Sequence, residues 1–221
     1  MKFFNKLELK YGRYAIPNLM LYLTAMYVAG FVIQLMLPQV YLSFLSLNWT
    51  AILKGQVWRL VTWLMYPPSD NIIIGALMIY VYYSIGTTVE RLWGSFKFNI
   101  FIFSGVIFHI LAALILYFMY KGASGFYVLT PGNLNLSIVL ALILTLPDVR
   151  FLLFFFIPIK ASWLGVFYLA MVVLDFFMGN TATKIEIVMS LLNVVVFLIM
   201  TGKMRQIIDR IKRAGQKNKF R

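Results

Sequence analysis

Cysteine is absent from this chain of 221 residues, which also has one histidine and only seven acidic residues. The missing thiol excludes disulfides, a thiolate nucleophile and cysteine-based metal sites. The few carboxylates and the single imidazole do not have the spacing of metal ligands, and no glycine-rich phosphate loop is present. The sequence therefore predicts no cofactor and no metal.

Charged side chains of either sign are also scarce, at 12% of the residues, whereas 62% are hydrophobic. Apolar runs recur at lengths that can cross a bilayer, where a backbone must satisfy its own hydrogen bonds. These features predict an all-α, polytopic membrane protein. The net charge of +13 comes from Lys and Arg that lie beside the apolar runs. It therefore indicates contact with lipid headgroups and not with nucleic acid.

The apolar runs predict six transmembrane helices in one membrane domain, residues 15–201. A basic amphipathic segment, residues 1–14, precedes this domain, and a basic tail, residues 202–221, follows it. A partly embedded connector, residues 39–71, separates the first two helices, and a short charged turn, residues 86–97, separates the second and third. The predicted spans are residues 15–37, 72–88, 98–120, 133–146, 151–177 and 185–201, the fifth interrupted near Pro158.

The basic residues also predict the orientation. Only Lys54, Arg59, Lys121 and Lys184 fall on one side of the predicted bundle, and the other Lys and Arg fall on the side that holds both termini. Under the positive-inside rule both termini are cytoplasmic. We expect a bacterial cytoplasmic membrane protein in contact with lipid; its oligomeric state is left open.

Three motifs at the predicted span boundaries resemble the rhomboid superfamily, which contains rhomboid proteases and derlin-type pseudoproteases. The first is Gly55-Gln56-Val57-Trp58-Arg59-Leu60-Val61-Thr62, and the second is Gly86 with Glu90-Arg91 and Gly94. The third is Pro147-Asp148-Val149-Arg150 followed by residues 154–160. The resemblance covers about residues 37–201 and implies a six-helix rhomboid-like bundle.

Rhomboid proteases use a serine in Gly-x-Ser-Gly on the fourth helix and a histidine on the sixth. Ser124 lies in such a motif, Gly122-Ala123-Ser124-Gly125, but Thr130-Pro131-Gly132 separates it from the fourth apolar run. The only histidine, His109, lies in the third run, and Lys121 is expected to be solvated and protonated. Because a serine needs a neighbouring base, we expect a catalytically inactive, pseudoprotease-like protein.

The polar residues near the spans are then expected to have binding or structural roles. Trp58 and Arg59 are expected to hold the embedded connector, and Glu90 and Arg91 to tie the second helix to the third. Amide and hydroxyl groups are expected to hydrogen-bond between the fourth and sixth helices, where a protease has its catalytic pair. These groups belong to Asn133, Asn135, Ser137 and Asn193.

The resemblance implies that the protein binds transmembrane segments of client proteins. Two alternatives stay open at this point. One is an intramembrane serine protease that uses Ser124, and the other is a small transporter or channel in which His109 or Asp175 acts.

Overall fold

The computed structural model describes residues 2–69, 71–121, 129–146, 148, 150–153 and 157–202. Within this part the chain is almost entirely helical, with one short two-stranded hairpin. The predicted basic tail lies outside the described residues from position 203 onward.

Four of the described helices are long and apolar enough to cross a membrane: α2 (Leu19–Met36), α6 (Ile72–Trp93), α7 (Ser95–Met119) and α10 (Thr181–Thr201). The protein is therefore an integral membrane protein. Two further apolar helices are α8 (Gly132–Thr145) and α9 (Ala161–Met178). The 14 residues of α8 span only about 21 Å at ~1.5 Å per residue, less than the hydrocarbon core of a bilayer. The number of six spans stays a prediction.

The amino-terminal segment forms α1 (Lys2–Tyr11) and a 3₁₀ turn (Gly12–Tyr14). Glu8 of α1 forms an ion pair with Lys97 near the start of α7, with 3.0 Å between Oε2 and Nζ. This contact holds the basic segment beside the ends of the membrane helices.

The connector after α2 is a chain of single turns: α3 (Pro38–Val40), a π-helical turn (Tyr41–Leu45), α4 (Trp49–Leu53), α5 (Arg59–Thr62) and a 3₁₀ turn (Trp63–Met65). It packs directly on α2 at Gly30. A Cβ atom on Gly30 would lie 1.6 Å from the carbonyl oxygen of Met65. The glycine is needed because the connector backbone occupies the space of a side chain.

The predicted charged turn between the second and third helices is mostly helical, so that expectation was wrong. Helix α6 continues through Thr87 to Trp93, and only Gly94, with φ of 82°, separates it from α7. Two threonines stay compatible with the helix because Thr87 and Thr88 donate their hydroxyl protons to carbonyls of the preceding turn. The turn needs one residue because glycine adopts a positive φ without strain.

The start of the fifth predicted span was also wrong. Residues 150–153 and 157–160 form two antiparallel strands, β1 (Arg150–Leu153) and β2 (Ile157–Lys160), in which Arg150 pairs with Lys160. Pro158 lacks the backbone N–H that a helix interior needs, so α9 begins only at Ala161.

The core of the bundle is formed where α2, α6, α7, α8 and α10 meet. At one end Trp93 stacks on Phe197 with ring centroids 4.4 Å apart, and Phe101 meets the edge of Trp93. Helix α9 is attached differently, because its buried Val172 belongs to a small separate cluster with residues of α8 and α10. Most of its other described side chains are exposed.

Candidate functional site

Arg59 is buried within the connector and hydrogen-bonds to several of its turns. Its side chain is only 3% exposed, and its guanidinium donates to the carbonyl oxygens of Ser43 and Ser46 and to Oε1 of Gln56. Burial lowers the pKa of this guanidinium, but its ordinary value is so high that it stays charged. Because most of its donors are taken by the connector itself, Arg59 holds this loop and has little capacity left for a ligand.

Trp58, unlike its neighbour Arg59, is exposed at the surface of the connector. Its indole N–H donates to the carbonyl of Phe44 at 3.0 Å, while 47% of the side chain is exposed. The ring therefore presents an apolar surface at the edge of the connector, with its polar atom already satisfied.

Glu90 caps a helix that is remote in sequence. The carboxylate accepts hydrogen bonds from the backbone N–H groups of Leu19 at 3.0 Å and Met20 at 3.2 Å, the first residues of α2. Asn18, the residue before α2, has φ of 55° and makes no side-chain cap of its own. Glu90 thus supplies the missing cap from α6, where an anion also meets the positive end of the helix dipole.

Glu90 also makes the expected contact between the second and third helices, but this contact is weaker than its bonds to α2. Ser95, at the start of α7, donates its hydroxyl proton to Glu90 at 3.2 Å. Arg91 is exposed and forms no ion pair with any carboxylate among the described residues. The main partner of Glu90 is therefore the beginning of α2, which the expected tie between the second and third helices did not include.

Two hydrogen-bonded groups of polar side chains lie between α7, α8 and α10, and we call them together the polar ladder. It consists of Ser104 on α7, Asn133 and Ser137 on α8, and Glu186, Ser190 and Asn193 on α10. Three of these residues were expected to link the fourth and sixth helices.

The inner part of the ladder centres on Asn193. Its amide nitrogen donates to the hydroxyl of Ser137 at 3.1 Å, and its amide oxygen accepts from Ser104 at 2.7 Å. The helices approach closely here, since a Cβ atom on Gly105 would lie 2.4 Å from Leu134 and 2.8 Å from the amide nitrogen of Asn193. Side-chain hydrogen bonds and a glycine contact therefore join α7, α8 and α10 at one level.

The outer part of the ladder contains a buried carboxylate. Asn133 donates its amide proton to Oε2 of Glu186 at 2.5 Å, and Ser190 donates to the backbone carbonyl of Asn133 at 2.7 Å. Glu186 is 7% exposed and has no cationic partner among the described residues. These contacts place the amino-terminal ends of α8 and α10 on the same side of the bundle, so the two helices run parallel.

Asn135 does not join the ladder. Its side-chain oxygen accepts a hydrogen bond from the hydroxyl of Tyr27 at 2.9 Å, which links α8 to α2. Both residues are buried. The expectation that Asn135 faces the sixth helix was wrong, because it lies two residues from both Asn133 and Ser137 and a helix turns by about 200° over that distance.

His109 is enclosed in the packed core. It is fully buried, its ring stacks on Trp63 with centroids 5.5 Å apart, and its Nδ1 lies 2.8 Å from the carbonyl oxygen of Gly105. A carbonyl only accepts, so Nδ1 carries the proton, and Nε2 has no hydrogen-bond partner among the described residues. No described serine or threonine hydroxyl is hydrogen-bonded to this imidazole.

Of the residues named in the two alternatives, His109 and Asp175 are described, and they are not brought together. Ser124 lies outside the described residues. Asp175 is exposed near the end of α9, whereas His109 is in the core of α7. Ser137 and Ser190 donate their protons to the backbone carbonyls of Leu134 and Asn133, and so neither is paired with a base.

Sequence reasoning missed four members of these networks: Tyr27, Ser104, Glu186 and Ser190. A signal was present for two of them. Glu186, Ser190 and Asn193 follow one another at spacings of four and three residues, which puts them on one face of α10. Ser104 and Tyr27 lie in helices that also contain other polar residues, among them Asn99 in α7 and Thr24 in α2, and the sequence does not show which of these groups meets a partner on another helix.

Within the described part of the chain no group of three His, Asp or Glu side chains is placed to hold a metal ion. Comparison of the whole chain with protein-family models, with curated proteins and with solved structures finds no match. Function must therefore be argued from the geometry alone.

Proposed function

We propose that this protein is a non-proteolytic, rhomboid-like membrane protein that binds transmembrane segments of other proteins. The observation that carries the proposal is the position of His109. It is the only histidine of the sequence, and it is packed against Trp63 with its protonated nitrogen committed to a backbone carbonyl. A serine without a base in reach is a poor nucleophile, so this placement of the only imidazole supports a non-proteolytic role.

The polar ladder supports a structural use of the space between the fourth and sixth helices. Asn193 and Ser137 satisfy each other, and the hydroxyl of Ser190 is committed to the backbone of Asn133. A reaction site needs groups whose hydrogen bonds become complete only with the substrate, whereas these groups are already paired. The ladder therefore holds the helices together.

The proposed binding surface is the side of α9 and its border with α10. Helix α9 contacts the bundle through Val172, in a small buried cluster, and through Gly165, whose position leaves 2.9 Å between an added Cβ atom and Ile143. On its other side, Val166 and Phe167 are each 63% exposed. Tyr168 of α9 also packs against the bundle, and the exposed side of α9 leaves room for a client helix to lie beside it.

Client segments with a polar residue are the expected class. An amide in hydrocarbon has no hydrogen-bond partner, and it gains one when a polar group of the bundle is within reach. Such bonds contribute roughly 0.6–2 kcal/mol in membranes. The proposal includes six crossings with cytoplasmic termini, and the parallel direction of α8 and α10 is compatible with helices that alternate in direction.

Photocrosslinking tests client binding, and the cysteine-free chain makes specific labelling straightforward. Phe167→Cys carries a benzophenone on the α9 face, and the protein is reconstituted with a synthetic leucine-rich transmembrane segment. One version of the segment has a central Asn and the matched version has Leu. We expect the Asn segment to crosslink about fivefold more, since ~1 kcal/mol corresponds to that ratio.

The control position is Leu35→Cys, on the exposed side of α2. The two segments should crosslink equally there. Equal crosslinking of both segments at position 167, or the same preference at position 35, would contradict a client surface on α9.

The protease alternative has its own test. We expect a fluorophosphonate probe to leave the detergent-solubilised protein unlabelled. Labelling that disappears in Ser124→Ala would identify a reactive serine and refute the non-proteolytic assignment.

The transporter alternative is tested by solute flux into liposomes. A solute-dependent flux that is abolished by His109→Phe or by Asp175→Asn would favour it over client binding. We expect no such flux.

A further inference from the structure

The two short strands between α8 and α9 form a sheet that has two outer edges. Among the described residues, β1 and β2 pair only with each other. A two-stranded sheet is marginally stable alone, and an unpaired edge presents N–H and C=O groups to which another strand can bind. An open edge is not tolerated in hydrocarbon, so these strands lie at the bilayer surface.

Pro158 determines which backbone groups of the sheet face outward. Leu152 pairs with Pro158, which has no N–H, so this pair does not exchange hydrogen bonds. Bonded and non-bonded pairs alternate in an antiparallel ladder, so the neighbouring pair of Phe151 and Ile159 is bonded. The backbone groups of Arg150 and Leu152 therefore point away from β2.

The two edges of the sheet are not equivalent. At the outer edge of β2, Pro158 presents a carbonyl but no donor, and a proline at such a position protects an edge from further pairing. At the outer edge of β1, Arg150 and Leu152 each present an N–H and a C=O group, and these form no backbone hydrogen bond to a described residue outside the sheet. A further strand can therefore add to β1 but not to β2.

We propose that β1 pairs antiparallel with β1 of a second copy of this chain, about a twofold axis that passes beside Phe151. Arg150 of one copy then exchanges hydrogen bonds with Leu152 of the second copy, and the symmetry repeats this exchange, so every outward group of both strands is paired. A second copy is the partner that fits, because its β1 lies at the same depth in the membrane and carries the complementary groups. The pairing does not depend on client binding or on the absence of proteolysis.

The cations at the end of the sheet are compatible with this pairing. Arg150 and Lys160 are exposed, and the pairing places Arg150 opposite a leucine of the second copy and not opposite another cation. The Cα atoms of the two Arg150 residues are about 8 Å apart, from ~3.4 Å per residue along a strand and ~4.8 Å between strands. Exposed charges at this distance are strongly screened at physiological ionic strength.

Disulfide formation tests the pairing in a chain that has no other cysteine. Phe151→Cys places two cysteines across the axis with their Cα atoms about 4.5 Å apart, within the range that a disulfide needs. The matched control is Leu153→Cys, whose two Cα atoms are about 14 Å apart in the antiparallel pairing. After mild oxidation in liposomes, we expect at least roughly tenfold more covalent dimer from Phe151→Cys than from Leu153→Cys.

Leu152→Pro provides a second test, because it removes an outward N–H and keeps the bonds between β1 and β2, as Pro158 does in the other strand. Added to Phe151→Cys, it should reduce the dimer yield about tenfold or more, since each copy loses one hydrogen bond of the pairing. Its unfolding by sodium dodecyl sulfate should be unchanged. An undiminished yield with Leu152→Pro would overturn the proposal.

The comparison of positions 151 and 153 decides the question independently of the proline variant. Parallel strands in register would bring both positions together equally, and random collisions would crosslink both to a similar extent. Equal yields at the two positions, or no dimer from Phe151→Cys, would therefore refute an antiparallel pairing of β1.

Discussion

The cap that Glu90 provides for α2 predicts a large effect from a very small substitution. Glu90→Gln keeps the shape of the side chain but removes its charge and one acceptor oxygen. One of the two backbone N–H groups, of Leu19 or Met20, then faces an amide NH₂ group that only donates. The position is 6% exposed, so water does not replace the lost acceptor.

The magnitude follows from three contributions. A hydrogen bond to a charged group contributes about 1.5–3 kcal/mol, and one such bond is lost. The bond that remains is weaker because its acceptor is neutral, and the interaction with the helix dipole, about 0.3–1 kcal/mol, also disappears. We expect Glu90→Gln to lower the free energy of unfolding by about 3 kcal/mol, which raises the unfolded fraction roughly a hundredfold.

Unfolding by sodium dodecyl sulfate in mixed micelles measures this change. Tryptophan fluorescence is a suitable signal, because Trp93 stacks on Phe197 in the core three residues beyond the substituted position. Glu8→Gln is the matched control: its ion pair with Lys97 is partly exposed and should contribute at most about 1 kcal/mol. If the two substitutions destabilise the protein equally, Glu90 is not the cap of α2 and this reasoning fails.

Three further predictions concern packing and the connector. Gly30→Ala should destabilise the fold by at least about 3 kcal/mol in the same unfolding assay, because the added methyl group overlaps the backbone of Met65; Gly12→Ala, with no atom closer than 3.9 Å, should have little effect. Arg59→Lys should cost about 2 kcal/mol and speed amide exchange across the connector, since one ammonium group cannot reach all the acceptors of the guanidinium; unchanged exchange would contradict this. His109→Phe should change stability by less than about 1 kcal/mol, because the ring contributes stacking and one neutral hydrogen bond; a loss above about 3 kcal/mol would indicate a buried polar role that the structure lacks.

Sequence reasoning was most successful where composition decides the outcome. The membrane class follows from apolar runs and sparse charge, and the helices α2, α7 and α10 lie within a few residues of their predicted positions. Sequence-based prediction failed where single residues, such as a proline in an apolar run, outweighed the average hydropathy of the segment. Residues 150–160 look like the start of a span, but residues 150–153 and 157–160 form paired strands, and Pro158 in the second strand is unsuited to a helix interior. Helix α6 runs on through residues that resemble a charged turn.

For the candidate site, the sequence indicated which polar residues form buried hydrogen bonds but not their partners. A polar residue in an apolar helix marks a buried hydrogen bond, so Asn133, Ser137 and Asn193 were chosen correctly from sequence. The identity of the partner is not encoded locally. Asn135 bonds to Tyr27, 108 positions away, and Glu90 bonds to the beginning of α2, because only the packed bundle determines which helix faces each side of α8 and α6.

By itself the sequence determined that this chain belongs in a bilayer and that it contains a single imidazole. Burial of apolar surface and the backbone's need for internal hydrogen bonds are properties of composition and run length, and they need no knowledge of neighbours. Only the tertiary structure decided that His109 is closed against Trp63, that Asn135 bonds to Tyr27, and that Glu90 caps α2. These outcomes depend on contacts between residues far apart in sequence, because hydrogen bonds and close packing act over only a few ångströms.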